Sequence, residues 1–293
     1  MQCVSCFAVS GLILLYSCDS FLSGKEGSGN ALKFSGQQEK TKKVINPDGK
    51  TIAERFNTPD GYERVAVSEN SFGDYLRHIP LKAHGTQVKL YDGSPKSNHI
   101  YEAVIDMDIG KKDLQQCADA IMRLRAEYFF HRKEYDSIHF NFTNGFRVDY
   151  SKWAEGYRVT VDGSRTSWVK RAEPSTGYAG FRDYMEIVFS YAGSLSLSKE
   201  LQPVSIENLA IGDVFIRGGS PGHAVMVMDV AENKTTKEKI FLLAQSYMPA
   251  QDIHVLTNLN DAEMNPWYST SFGDELYTPE WTFSKDELRR FAE

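Results

Sequence analysis

The chain has 293 residues, 41% of them hydrophobic and 25% charged, with a formal net charge of -6. That length allows one large domain or two small ones, and the composition is that of an ordinary globular protein. The acidic balance leaves no basic footprint, so nucleic acid is excluded as an expected partner.

The first twenty residues, MQCVSCFAVSGLILLYSCDS, carry an apolar run over positions 3–17 followed by Cys18 and a polar stretch. The run is too short to span a bilayer comfortably and reads as a signal peptide over 1–17. Leu15-Tyr16-Ser17-Cys18 resembles a bacterial lipobox, which implies cleavage before Cys18 and lipidation of its thiol. An ordinary cleaved signal peptide is the alternative. Removal of the signal and lipidation of Cys18 leave Cys117 as the one thiol of the body, since Cys3 and Cys6 go with the signal. A lone cysteine in an exported chain of enzyme size is a candidate nucleophile. The expected location is exported and lipid-anchored in the cell envelope, with the membrane reached through that anchor.

Residues 18–50 are rich in Gly, Ser and Lys and read as a flexible tether, which places a single folded domain over 51–293. Short helices are expected at Ala53–Phe56 and Ser71–Leu76, and strands at Val88–Tyr91 and Tyr101–Asp108. The strongest helix follows, with Asp113 as its cap and Gln116 three residues on. Leu114, Cys117, Ile121, Leu124 and Tyr128 define its apolar face, and Arg123, Arg125 and Glu127 lie off it. A second long helix is expected over Tyr178–Leu195. After Pro203 strands are expected at Val214–Ile216, His223–Val230, Lys239–Gln245 and Ile253–Leu256. A helix-rich first half followed by a strand-rich second half indicates α+β, with the helices packed on an antiparallel β-sheet.

Cys117 is expected about one turn inside a helix start, where the macrodipole favours a thiolate. It also belongs to the apolar stripe, where a buried thiol is simply a small hydrophobe. His223 opens a strand apolar on both alternating faces, the mark of an interior strand with its first residue at the sheet rim. An imidazole there suits general-base and general-acid work. Gln245 ends the strand that would lie beside it and can accept a hydrogen bond from the ring. Ser246 lacks a nucleophile-elbow pattern. His78, His84, His99, His131, His139 and His254 make no metal signature, and no cofactor is implied. Trp153, Tyr157 and Trp168 suit either the core or a peptide- or glycan-binding groove.

The pieces Gln116-Cys117-Ala118, Gly212-Asp213-Val214, Gly222-His223-Ala224-Val225 and Ala244-Gln245-Ser246 occur in the order seen in papain-like cell-wall amidases and peptidases. They resemble the CHAP type in particular. Three features depart from that pattern. His223 comes 106 residues after Cys117, Ala-Asp-Ala follows the cysteine, and the third member is Gln. The resemblance implies a papain-like fold with Cys117 as nucleophile, His223 as base and Gln245 as the group orienting it. Gln115 and Gln116 would be oxyanion donors, and a peptide or peptidoglycan-like amide the substrate. The chain also resembles a bacterial lipoprotein family, the domain of unknown function 4846, through Leu90-Tyr91-Asp92-Gly93, Arg123-Leu124-Arg125-Ala126-Glu127-Tyr128 and Ala244-Gln245-Ser246-Tyr247-Met248-Pro249. That second resemblance implies no reaction. A non-catalytic lipoprotein that binds peptide or glycan on the same fold is the other function compatible with these residues.

Overall fold

A computed structural model describes residues 43–292. The signal peptide, Cys18 and most of the expected tether lie outside the described residues. The last part of that tether, 43–50, does not run free. Ile45 bridges to Phe56, and the Asn46 N–H donates to the Arg55 carbonyl at 2.7 Å. The buried Arg55 guanidinium donates to the Gly49 carbonyl from Nε and Nη2, at 2.9 and 2.6 Å. A Cβ at Gly49 would sit 2.3 Å from the Glu54 carbonyl carbon, so only glycine permits this approach.

The chain enters through α1 (Ile52–Arg55), β1 (Tyr62–Arg64), α2 (Phe72–Arg77) and β2 (Tyr101–Val104). Helix α3 (Cys117–His131) leads to the hairpin β3 (His139–Asn141) and β4 (Arg147–Asp149). Next come α4 (Tyr150–Ala154) and a second hairpin, β5 (Tyr157–Asp162) with β6 (Arg165–Lys170). The helix expected over Tyr178–Leu195 is two helices, α5 (Tyr178–Tyr191) and α6 (Ser194–Glu200), broken at Ala192-Gly193. The rest is strand: β7 (Gln202–Pro203), β8 (Val214–Arg217), β9 (His223–Asn233), β10 (Lys239–Gln245) and β11 (His254–Leu256). The last four are β12 (Tyr268–Ser269), β13 (Glu275–Tyr277), β14 (Thr282–Ser284) and β15 (Leu288–Arg290). Around Val88–Tyr91 only isolated bridges form, from Lys89 to Pro95 and from Leu90 to Gln251, so the expected strand is not a strand.

The main sheet is antiparallel in the order β2-β11-β10-β9-β8-β15-β7, with β1 on β9 and β12 on β10. The α+β architecture is therefore a large antiparallel sheet with several helices. Alternation along β9 explains why its centre is almost pure hydrocarbon. Ala224, Met226 and Met228 face the cluster that contains α3, and Val225, Val227 and Val230 face the cluster that contains Phe283 and Leu288. Each of these valines and methionines, fully buried, contributes about 2 kcal/mol. The Gly212-Asp213 turn is structural. Asp213 is fully buried and receives the Arg290 guanidinium at 2.6 and 2.8 Å, which ties β15 to the start of β8.

Helix α3 is covered on more sides than its stripe predicts. Arg123 and Glu127, expected off the apolar face, are 1% and 2% exposed. Arg123 donates to Glu127 at 2.6 Å, to Gln115 Oε1 at 3.1 Å and to the Tyr178 hydroxyl at 2.9 Å. Tyr178 opens α5, and its hydroxyl also donates to Glu127 at 2.8 Å. Among the described residues no helix is long and apolar enough to cross a membrane.

Candidate active site

Cys117 is the first residue of α3, not a residue one turn inside it. Asp113 is not the cap, because its carboxylate is engaged elsewhere. It accepts the Ala250 N–H at 2.7 Å and the Gln116 Nε2–H at 3.1 Å. Gln116 is the N-cap instead, and Asp119, third in the helix, accepts its N–H at 3.1 Å. The thiol meets three backbone N–H groups, those of Cys117, Ala118 and Ala224, all of which favour a thiolate. They are outweighed. Burial first, and the Asp119 carboxyl second, push the thiol up to about 11. The depressed value expected from the helix start is therefore corrected. A macrodipole contributes about 0.3–1 kcal/mol, less than partial burial takes away here.

His223 follows Gly222, where a Cβ would stand 2.4 Å from the Gly219 carbonyl oxygen and 2.6 Å from Ser194 Oγ. Glycine is needed there for the chain to enter β9 against the start of α6. The ring is not on an open rim, as the sequence suggested, but is 1% exposed. Tyr247, Trp281 and Phe283 surround it, with ring centroids at 4.9, 5.5 and 5.9 Å. The cause is β14, which lays Phe283 over the head of β9. Burial pushes the imidazole down to about 4.

The expected partnership of His223 with Gln245 is present, with Nε2 and Oε1 2.8 Å apart. The surrounding groups decide which atom donates. Glu280 Oε1 receives Lys96 Nζ at 2.8 Å, and its Oε2 receives Gln245 Nε2–H at 2.6 Å. A carboxylate only accepts, so the amide must turn its NH2 to Glu280. His254 agrees with this orientation. Its Nδ1–H donates to the Asp252 carbonyl at 2.8 Å, leaving Nε2 as an acceptor 3.4 Å from Gln245 Nε2. Gln245 Oε1 then faces His223, whose Nε2 must carry the proton. The lone pair is left on Nδ1, the nitrogen available as a base.

Of the residues that the sequence nominated, His223 and Gln245 are in contact, and nothing in the sequence marked Glu280, Lys96 and His254 around Gln245. Glu280 lies in the turn between β13 and β14, with no motif around it to mark its role. Of the two oxyanion candidates, Gln116 is committed to Asp113. Gln115 Nε2 is enclosed and without a hydrogen-bond partner among the described residues, its Oε1 held by Arg123. Ser246 is fully buried, its Oγ between the Gln115 and Gln251 carbonyls at 3.0 and 2.8 Å, a structural tie from β10 to the entry of α3. Trp153 packs in the core against Tyr184 and beneath Arg158, while Tyr157 and Trp168 lie on the β5–β6 hairpin against Lys152. No group of three His, Cys, Asp or Glu side chains suited to a metal ion occurs among the described residues.

Thiol and imidazole are both neutral near pH 7. With the thiol at about 11 and the ring at about 4, a thiolate–imidazolium pair lies on the order of 10 kcal/mol uphill before its own attraction is counted.

Neither a curated protein nor a solved structure matches the chain. One family model does match, over residues 52–290, which takes in the whole sheet, α3 and every residue of the site. The chain belongs to the family described as Domain of unknown function (4846).

Proposed function

We propose that the protein is a papain-like thiol hydrolase of the CHAP kind, acting on amide or isopeptide bonds in cell-envelope peptide. It would be held at the membrane by lipid on Cys18. The observation that carries this reading is the 2.8 Å His223–Gln245 contact, with the tautomer set so that Nδ1 is the base. That ring stands beside Ala224, whose N–H meets the Cys117 sulfur. Cys117 attacks the carbonyl carbon as its proton passes to His223 Nδ1. The C–N bond then breaks, and the leaving amine takes that proton. Water, deprotonated by the same nitrogen, releases the acid and restores the thiol. The Cys117 N–H at the helix start is the first oxyanion donor, and the uncommitted Gln115 amide is the side-chain candidate.

The thiol at about 11 favours a second reading, a non-catalytic fold that binds envelope peptide. Incubation with purified peptidoglycan stem peptides separates the two. The hydrolase releases new primary amine, at least a hundredfold slower after Cys117→Ala. A binder gives saturable heat of binding with the same peptides and no amine from the unaltered protein.

A further inference from the structure

A cavity of about 210 Å3 is walled by β12, β13 and the 258–264 segment and shares no lining residue with the Cys117 site. It is apolar where it backs onto the core. Trp267, Tyr268 and Leu276 are buried there, and Met264 and Phe272 complete the apolar wall. The Asn260 amide shapes the mouth. Its Nδ2–H groups donate to Asn258 Oδ1 at 3.1 Å and to the Tyr277 carbonyl at 2.8 Å, which holds the 258–261 loop against the end of β13. Two large side chains stand out at that junction, Leu259 at 67% and Tyr277 at 54% exposure.

Every side-chain donor that lines this cavity is spent within the protein. Asn258 Nδ2–H goes to the Trp267 carbonyl, Trp267 Nε1–H to the Asn57 carbonyl and Tyr268 O–H to the Thr257 carbonyl, at 2.7, 2.9 and 2.7 Å. Ser269 donates to Glu238, and Tyr277 O–H to Glu275 Oε2. What stays unspent is acceptor capacity, on Asn260 Oδ1, Asp261 Oδ2 and Glu275 Oε1. No Lys, Arg or His lines the cavity. Arg217, paired with Glu287, acts on Glu275 from outside the lining, and Arg64 already lies over the Trp267 ring at 5.9 Å. Asp261 meets backbone N–H groups alone, those of Glu263 and Met264, at 3.0 and 3.1 Å. A ligand must therefore bring donors and an apolar body, and it needs no side-chain donor in return. An ammonium on an aliphatic chain has that composition, with three donors, no acceptor and methylenes for the aromatic wall. A carboxylate would find no side-chain donor. We propose that this cavity takes the side chain of a lysine carried by a peptide. The ammonium meets Asp261 first, with Asn260 Oδ1 and Glu275 beside it. The methylenes lie against Met264 and Phe272, and the peptide backbone crosses the mouth over Leu259 and Tyr277. The site is independent of the Cys117 chemistry.

Isothermal titration of the full chain tests this with N-acetyl-lysine methylamide and three controls. N-acetyl-norleucine methylamide lacks the ammonium, pentylammonium lacks the peptide, and methyl glucopyranoside is a neutral polyol. The lysine probe binds saturably, and the norleucine probe binds at least tenfold more weakly. Pentylammonium binds at least threefold more weakly, because it misses the mouth. Asp261→Asn with Glu275→Gln keeps acceptors for the Glu263 and Met264 N–H groups and for the Tyr277 hydroxyl. This double variant weakens the lysine probe at least tenfold and leaves the norleucine probe unchanged. Tyr277→Ala, at the exposed mouth, brings the lysine probe down to the level of pentylammonium and stands in if the double variant fails to fold. No binding of the lysine probe at about 10 mM, norleucine binding as tightly as lysine, or unchanged affinity in the variants would each overturn the assignment. Pentylammonium binding as tightly as the lysine probe would mark a free-amine site, and tighter binding of the glucopyranoside a glycan site. Either result also overturns it. Cys117→Ala leaves the titration unchanged.

Discussion

Exchanging two residues, Gln245→Glu together with Glu280→Gln, is expected to cost far less than either change alone. Glu at position 245 alone faces the Glu280 carboxylate at the distance where the amide now donates, 2.6 Å. Two acceptors meet with no proton between them. Glu280→Gln alone leaves Lys96, whose side chain is 7% exposed, without its counter-charge. Breaking a buried pair from either side costs about 3–5 kcal/mol. In the double variant the glutamine at 280 donates to the glutamate at 245, which still accepts from His223 Nε2. Net charge is conserved, Lys96 exchanges its ion pair for a hydrogen bond to the glutamine at 280 with the carboxylate one residue further off, and the long contact to His254 is lost. Urea denaturation of the four proteins should therefore give a coupling of at least about 2 kcal/mol. If the protein is the proposed hydrolase, its activity should follow the same cycle, because a wrong tautomer takes the lone pair from His223 Nδ1. Additive costs in the four proteins would show that Glu280 does not orient Gln245.

Removal of the buried carboxyl beside Cys117, Asp119→Asn, is expected to have a pH-dependent effect of similar size. Asp119 is 6% exposed, burial raises it to about 8, and Oδ1 has no hydrogen-bond partner among the described residues. Its folded value lies above its unfolded one. The stability linked to its proton is thus fully present below about pH 4 and is lost as pH rises through about 8. The loss approaches about 6 kcal/mol as an upper bound. Asparagine still accepts the Gln116 N–H, and its enclosed NH2 costs about 1–3 kcal/mol at every pH. The variant should therefore gain on the native protein between pH 5 and pH 8.5, as read by urea midpoints at the two values. The Cys117 thiol should also move down, since Asp119 is the second cause holding it up. Iodoacetamide labelling at pH 9 should then quicken several-fold. An equal stability difference at both pH values would show that Asp119 does not titrate in this range.

The parts of this site legible in the sequence were those that depend on strand order. β9 and β10 are antiparallel neighbours, with Ala244 opposite Met226, so the end of one strand lies beside the start of the other. That relation alone places Gln245 near His223. Cys117 stood out by arithmetic, as the one thiol left in the body. Glu280 was not legible, because the β13–β14 turn reaches the site by tertiary packing that leaves no local pattern. The direction of the thiol shift was misread for a related reason. A helix start is visible in sequence, but the burial that outweighs it arises from contacts distant in sequence. The same blindness hid Arg123 and Glu127, both bonded to Tyr178 of α5. In the fold, the helix expected over Tyr178–Leu195 failed at Gly193, where the extended backbone ends α5 and α6 begins anew.

Cys117 and His223 are the proposed nucleophile and base. Acyl capture from p-nitrophenyl acetate tests these roles most directly, followed by intact-mass analysis and peptide mapping. The account predicts a burst of p-nitrophenolate and one acetyl group on Cys117. His223→Ala should lose the burst at least a hundredfold while retaining the far-ultraviolet dichroism of the native fold. Acetylation of Cys117 at the same slow rate in both proteins, or none on Cys117 at all, would contradict it.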